Sequence, residues 1–203
     1  MTRIGFFATV VAGLTLLQSV SAHYQLTYPE SRGFSEDNEP SAPCGGFNTV
    51  SSNRTQFPLK NGFVEINSGH TSYSYEIKLV TNSANPSASD FSSASSVAKG
   101  SRNYPGEACL PIDLSNVSNA SAGTNATIQV IYDGGDGSLY QCVDVTLAEN
   151  PSNFDSNTCV NADGSDPTGS SSVADGDNSG ASGLTVASGV FAAAIAAAIS
   201  IAA

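Results

Sequence analysis

Three segments in which apolar and polar residues alternate constrain the fold most strongly: 73–80, 127–132 and 139–147. Successive side chains of a strand point to opposite faces of a sheet, so each segment predicts a strand with one buried face. The buried face of the first segment is expected to carry Tyr73, Tyr75, Ile77 and Leu79. No long segment between residues 23 and 160 has the 3.6-residue period of a helix, and short strands without helices are typical of an all-β sandwich.

The connections between these strands are also marked in the sequence. Residues 133–138 are a turn-rich connector, which predicts that the strands on either side pair as a hairpin. An edge segment is predicted at 109–112, because its proline cannot donate a hydrogen bond within a central strand. Residues 23–58 are expected to be irregular, and 82–103 to form a long loop with one helical turn.

The cysteines predict two disulfides. An even number of cysteines in a secreted chain is typical of disulfide pairing. None of the four belongs to a C-x-x-C pair, so the spacing does not resemble a zinc site. Three pairings are open, and we favour Cys109–Cys142 with Cys44–Cys159.

The N-terminus is predicted to be a signal peptide at 1–22. Arg3 provides the positive charge, and residues 4–17 form an apolar segment of the length that signal peptides have. Small residues precede the predicted cleavage site, so cleavage is expected before His23. The folded domain is then predicted at 23–160.

The C-terminus is predicted to be a glycosylphosphatidylinositol (GPI) signal. Residues 184–203 carry no charge and are rich in Ala, Val and Ile, and a polar segment of Ser, Gly and Asp precedes them. A small-residue triplet, a polar spacer and a terminal hydrophobic tail are typical of GPI attachment. We predict attachment at Asn178, with Gly180 as the alternative, a linker at 161–180 and a removed propeptide at 181–203.

Secretion and charge narrow the expected location and partners. The chain is expected to pass through the secretory pathway to the outer face of the plasma membrane or the cell wall. Its formal net charge of −11 disfavours nucleic acid and anionic lipid as partners. Four N-glycosylation sequons agree with secretion, at Asn53, Asn116, Asn119 and Asn125.

The two histidines of the chain predict a metal site. As the first residue of a processed chain, His23 offers its α-amine and its ring Nδ1 to one metal ion. His70 lies in the turn at 67–71, between two predicted strands, and can supply a third nitrogen. Three nitrogen ligands in tetragonal geometry favour Cu(II), whereas zinc prefers a tetrahedral set. We therefore predict one Cu(II) ion per chain.

Five motifs are spread over nearly the whole predicted domain. They are H-x-x-x-x-Y-P-x-S-R-G-F at 23–34, A-P-C-G-G-F at 42–47, F-P-L at 57–59, A-C-L-P-I-D at 108–113 and D-G-G-D-G-x-L-Y-Q-C-x-D-V-T-L at 133–147. Together they resemble the fungal copper acquisition factor family. Its members are GPI-anchored relatives of the lytic polysaccharide monooxygenases and share their histidine brace.

The resemblance implies a fold and a ligand set. The fold is an immunoglobulin-like or fibronectin-III-like β-sandwich. The ligands of Cu(II) are the amine and ring of His23, the ring of His70, and an aspartate where the monooxygenases usually hold an axial tyrosine. On this chain we favour Asp136, with Asp133 as the alternative. Asp144 is a third candidate, but it lies inside a predicted strand, on the same face as the Cys142 side chain.

The resemblance also implies a function. An anionic ligand favours Cu(II) over Cu(I) and crowds the position where oxygen would bind. The implied function is therefore copper acquisition and copper handling at the fungal cell surface, without oxidative cleavage of polysaccharide. Expected partners are a membrane copper importer, cell-wall glycans and the outer leaflet, with the protein as a monomer. The alternative is a copper-dependent monooxygenase acting on cell-wall glycans.

Overall fold

The computed structural model describes residues 23–81 and 83–167, which form two facing β-sheets. One sheet has three antiparallel strands, and the other has five strands with one parallel pair at its edge. In chain order the strands are β1 (Tyr24–Tyr28), β2 (Thr55–Pro58), β3 (Gly62–Ser68), β4 (Tyr73–Thr81), β5 (Ser96–Arg102), β6 (Gly106–Ile112), β7 (Asn125–Asp133) and β8 (Ser138–Ala148). The spatial orders are β1-β3-β6 and β2-β8-β7-β4-β5.

Helix is almost absent from the described residues. The only α-helix among them is α1 (Ala88–Ser93), which begins with a capping box formed by Ser87 and Asp90. Two 3₁₀ turns lie at Glu36–Asn38 and Ser156–Thr158. The predicted all-β, immunoglobulin-like sandwich with long loops and two disulfides is confirmed.

The alternating pattern places the core between the two sheets. The predicted inward face of β4 is buried, and β7 and β8 pair as the predicted hairpin. The core joins side chains of both sheets, among them Leu26, Ile66 and Leu110 on one side and Ile77, Val130 and Val145 on the other. Each large apolar side chain that is fully buried contributes about 1.5–3 kcal/mol to folding.

Three strands form where the sequence predicts irregular chain. β1 and β2 lie inside 23–58, and β5 lies inside 82–103, after the single helical turn that was predicted there. β5 is an edge strand whose residues are all exposed or half-buried. Backbone pairing with β4 holds it in place, so it needs no apolar alternation, and the sequence pattern could not reveal it.

The predicted disulfide pairing is wrong. The structure joins Cys44 to Cys142 and Cys109 to Cys159, each pair with Cα atoms 5.1 Å apart. Cys142 alternates with the core residues of β8, and Cys109 alternates with those of β6. The two side chains therefore point away from the core on opposite outer faces of the sandwich. Cysteines bridge only when their Cα atoms lie within about 7 Å, so the predicted pair cannot form.

A buried ion pair fixes the long segment between β1 and β2 against the outer face of β8. Arg32 donates from Nε and Nη2 to the two carboxylate oxygens of Asp144, both at 2.8 Å. Thr127 and the Ser51 amide donate to the same carboxylate. Burial alone would raise the pKa of Asp144, but these hydrogen bonds outweigh it and hold the pKa below its ordinary value. Asp144 is thus committed to Arg32, which argues against it as a metal ligand.

The ion pair generates the first prediction. Arg32→Ala removes the bidentate partner of the buried Asp144 carboxylate and leaves only Arg54, whose Nη1 lies 3.9 Å from Oδ1. The free energy of unfolding at pH 6 should therefore fall by up to about 3–5 kcal/mol in denaturant titrations. Lys60→Ala, at an exposed position, is the control and should change it by less than about 0.5 kcal/mol.

The same variant tests the ionic origin of the effect. The lowered folded pKa of Asp144 gives stability that is present above the unfolded pKa of about 3.9 and is lost as pH falls through the folded value. The difference between Arg32→Ala and the unchanged protein should therefore shrink in acid. An equal difference at every pH would contradict an ionic contribution.

Candidate metal centre

Strand pairing places the two predicted histidine ligands at one rim of the sandwich. Tyr24 at the start of β1 pairs with Ser68 at the end of β3. One step further, the Gly69 amide donates to the His23 carbonyl at 3.1 Å. His23 therefore lies against the residue that precedes His70. The register of β1 on β3 brings the two histidine positions together, although 46 positions separate them in the sequence.

Local hydrogen bonds hold the His70 turn in shape. The His70 amide donates to the Ser68 hydroxyl oxygen at 3.1 Å, and that hydroxyl lies 2.7 Å from the hydroxyl of Tyr132. The His70 ring meets the Tyr132 ring edge-on, with centroids 6.4 Å apart. Its Nε2 is buried and has no hydrogen-bond partner among the described residues. A buried polar atom without a partner costs about 1–3 kcal/mol, and a metal ion would satisfy this one.

Three stacked tyrosine rings support the rim that carries the two histidines. Tyr132 stacks on Tyr24 and on Tyr73, with ring centroids 4.7 Å apart in both pairs. Tyr24 donates its hydroxyl hydrogen bond to the Val130 carbonyl at 2.8 Å. All three rings are buried, so they support the histidine turn rather than line an open surface.

The hairpin turn between β7 and β8 lies against the ring of His70. A Cβ atom at Gly134 would lie 3.0 Å from three atoms of the His70 ring, so a larger residue would require a shift of a few tenths of an ångström. Asp133 is occupied in the turn, since its Oδ1 accepts from the Gly135 amide at 2.8 Å. Burial raises the pKa of Tyr132, and the nearby Asp136 carboxylate adds to that rise. Asp136 is exposed in the same turn.

The carboxylate ligand stays a prediction. Within 23–81 and 83–167, no group of three or more His, Cys, Asp or Glu side chains is arranged to hold a metal ion. The predicted set differs from such a group, because one of its nitrogens is an α-amine that only cleavage before His23 creates. The structure brings the His23 backbone beside the turn that carries His70, and both residues stay predicted ligands. Asp136 stays the favoured aspartate and Asp133, whose Oδ1 accepts within the turn, the alternative.

The structure adds two glutamates that the sequence did not single out. His23 Nε2 lies 3.0 Å from the Glu36 carbonyl oxygen and 4.0 Å from Glu39 Oε2. Glu39 is buried, and burial raises its pKa to about 7, although hydrogen bonding from Gln141 and the nearby His23 act in the lowering direction. Both glutamates stand in an acid-rich segment of a chain with 18 acidic residues, so no sequence signal distinguished them.

The remaining predicted residues are not decided by the structure. The four sequon residues are exposed, which suits glycan attachment, and their occupancy stays a prediction. The signal peptide at 1–22, the attachment residues Asn178 and Gly180 and the propeptide lie outside the described residues. No helix in the described part of the chain is long and apolar enough to cross a membrane.

Comparison with known proteins decides the family. Residues 21–164 match the model of the domain described as copper acquisition factor BIM1-like. The chain belongs to this family. It is 40% identical over 148 residues to "Copper acquisition factor BIM1" of Cryptococcus neoformans var. grubii, a match that covers 69% of this chain and 66% of that protein. The matched region thus spans about two thirds of the relative's length.

Other relatives carry monooxygenase names. The chain is 33% identical over 162 residues to "Lytic polysaccharide monooxygenase-like protein X325" of Hypocrea jecorina, covering 70% of each. A solved structure of the polysaccharide monooxygenase CBM33 shares 15% identity, with a TM-score of 0.38, and covers 64% of this chain and 80% of that one. A likeness at that level does not bear on function.

The buried Nε2 atom gives the prediction for this centre. His70→Leu removes an unpartnered polar atom, so the free energy of unfolding of the metal-free protein should change by no more than about 1 kcal/mol or should rise. Cu(II) affinity, measured by competition with a chelator, should fall sharply in the same variant. Asn67→Ala, an exposed change near the end of β3 and three residues before His70, should leave both quantities unaltered. A large loss of metal-free stability would instead make His70 a structural residue.

Proposed function

We propose that the chain, once cleaved before His23, binds one Cu(II) ion and takes part in copper acquisition at the fungal cell surface. The observation that carries this proposal is the meeting of His23 with the His70 turn, where His70 Nε2 is buried without a partner. Membership of the BIM1-like copper acquisition factor family and the names of the Cryptococcus relatives support it.

The proposed ligands are the α-amine and Nδ1 of His23, Nε2 of His70 and a carboxylate from the β7–β8 turn, for which we favour Asp136. Nitrogen donors of this kind suit Cu(II) over the other divalent first-row metals. The ion would be bound reversibly, so that it can exchange with other copper-binding molecules. The protein's own contribution is to hold the donors at one rim of the sandwich, where the Gly134 backbone lies close against the His70 ring.

The rest of the proposal concerns place and partners. The predicted GPI anchor would keep the domain at the outer leaflet or in the cell wall, where it can collect copper from outside. A membrane copper importer is the proposed receiver of the ion. Lipid attachment, glycans at the four sequons and a monomeric state complete the proposal and await their own tests.

A copper-dependent monooxygenase is the second candidate, favoured by the name of the Hypocrea jecorina relative. Such an enzyme needs a surface that binds a polysaccharide beside the metal. The exposed large hydrophobic side chains among the described residues are Phe34 and Val160, so these residues present no aromatic strip for sugar rings. A carboxylate ligand would also favour Cu(II) and crowd the oxygen position. We therefore prefer copper binding without oxidative cleavage.

Electron paramagnetic resonance of the Cu(II)-loaded protein tests the ligand set. Protein that begins at His23 should show hyperfine coupling to three nitrogens. A matched protein with one additional methionine before His23 keeps every side chain but loses the α-amine, so the three-nitrogen signature should disappear. A spectrum that is indifferent to the extension would overturn the proposed brace.

The non-oxidative part of the proposal needs a separate assay. The copper-loaded protein is incubated with chitin or β-glucan, a reductant and peroxide, and soluble products are analysed by mass spectrometry. No oxidised oligosaccharides are expected above a sample lacking the protein. Their release by the protein that begins at His23, and not by the extended one, would establish the monooxygenase instead.

A further inference from the structure

Glu39 is a buried carboxylate whose two oxygens have different surroundings. Its Oε1 accepts from Gln141 Nε2 at 2.7 Å. Its Oε2 has no hydrogen-bond partner among the described residues and lies 4.0 Å from Nε2 of His23. The residue is only 1% exposed, so water is a poor substitute for a partner. This oxygen faces the ring of His23, the predicted N-terminal ligand.

Hydrogen bonds of the Glu39 backbone and a nearby disulfide fix the position of this residue. The Asn38 amide donates to the Ser35 carbonyl at 3.0 Å and closes the 3₁₀ turn, and the Glu39 amide donates to the same carbonyl at 3.0 Å. The Tyr140 amide donates to the Glu39 carbonyl at 2.9 Å, which ties the turn to β8. The disulfide between Cys44 and Cys142 fastens the following chain to the same strand. The carboxylate therefore projects from a fixed backbone.

Gln141 links this carboxylate to the strand that carries His23. Its side chain faces the space between the sheets, where Nε2 donates to the Tyr24 carbonyl at 2.7 Å and Oε1 accepts from the Leu26 amide at 3.1 Å. The same Nε2 donates to Glu39. One buried amide thus sets the position of β1 and of Glu39 together, and with them the separation between Glu39 and His23.

A purely structural role does not account for this arrangement. Glu65 offers the comparison, because it is another buried glutamate of the same domain. Both of its oxygens have partners: Oε2 accepts from the Thr27 hydroxyl at 3.2 Å, and Oε1 from the Val160 amide at 3.3 Å. A structural carboxylate is expected to be satisfied in this way, since an unpaired buried polar atom destabilises the fold. In Glu39, one oxygen is left open toward a histidine.

We propose that Glu39 is a positioning residue that accepts the Nε2–H of His23 and so directs Nδ1 of the same ring toward the metal ion. The inference rests on the proposed function. The Glu36 carbonyl, 3.0 Å from Nε2, is a second acceptor on the same side of the ring. Two acceptors around Nε2 place the proton there, so that Nδ1, which lies 4.0 Å from Glu36 Oε2, is the nitrogen that would bind the metal ion. A shift of about 1 Å in the ring brings Oε2 within hydrogen-bond distance.

The charge of Glu39 has a consequence beyond orientation. Metal-ligating histidines commonly donate their second N–H to a carboxylate, which makes the ring a stronger donor. In its ionised form Glu39 also favours Cu(II) over Cu(I), because the attraction of a negative charge grows with the charge of the ion. Glu39 should therefore raise Cu(II) affinity without touching the metal.

The test compares Glu39→Gln with the matched control Glu65→Gln, both in protein that begins at His23. Each change is isosteric and removes one buried carboxylate. Glu39→Gln should lower Cu(II) affinity by about 10–100-fold in chelator competition, the usual cost of losing such a partner. It should also alter the nitrogen couplings in electron paramagnetic resonance. Each tenfold loss that is confined to Cu(II) should raise the reduction potential by about 59 mV.

The outcomes separate this inference from the proposed function. Thermal unfolding of the metal-free variants first shows that both are folded. If the unchanged protein gives no three-nitrogen Cu(II) signal, the proposed function fails. Suppose that the unchanged protein gives the signal. If Glu39→Gln then has the same affinity, spectrum and potential as the unchanged protein and as Glu65→Gln, the role of Glu39 is overturned. If Glu65→Gln loses as much affinity as Glu39→Gln, the effect is general to buried charge and the positioning role is also overturned.

Discussion

The pairing of β1 with β3 is the interaction on which the candidate centre depends. It is a short pairing at the edge of a three-stranded sheet, yet it puts His23 beside the turn that carries His70. The side chain of Gln141 reinforces it from the opposite sheet by bonding the backbone of β1 at Tyr24 and Leu26. An N-terminal strand would otherwise fray, and a metal site built on its first residue would fray with it.

Among the described residues, the buried polar atoms without a hydrogen-bond partner lie mainly at the end of the sandwich that carries His23 and His70. The buried side-chain atoms without a hydrogen-bond partner are Glu39 Oε2, His70 Nε2 and Tyr73 Oη. The first faces His23, the second lies under the Gly134 turn, and the third belongs to the tyrosine stack below them. Buried polar groups are nearly always paired in folded proteins, so such a concentration is expected where a fold gives up stability for function.

The sequence predicted the elements whose pattern is local. Alternation identified β4, β7 and β8, and the two histidines were found because cleavage would give His23 a free amine. What depends on three-dimensional packing was not predictable. β5 is held by backbone pairing with β4 and by partly buried Val97 and Ala98, without an alternating pattern. The disulfide partners follow from the outer faces on which Cys109 and Cys142 lie. Glu39 is one acid among many until β8 and its glutamine are in place.

The central claim is that processing before His23 completes a copper site whose other parts the fold has already assembled. Anomalous diffraction at the copper edge, from crystals of processed protein soaked with one equivalent of Cu(II), tests it most directly. The account predicts one strong peak in contact with the α-amine and Nδ1 of His23 and with Nε2 of His70, with Glu39 against the far side of the His23 ring. A peak elsewhere on the domain, or one that contacts only one histidine, would contradict it.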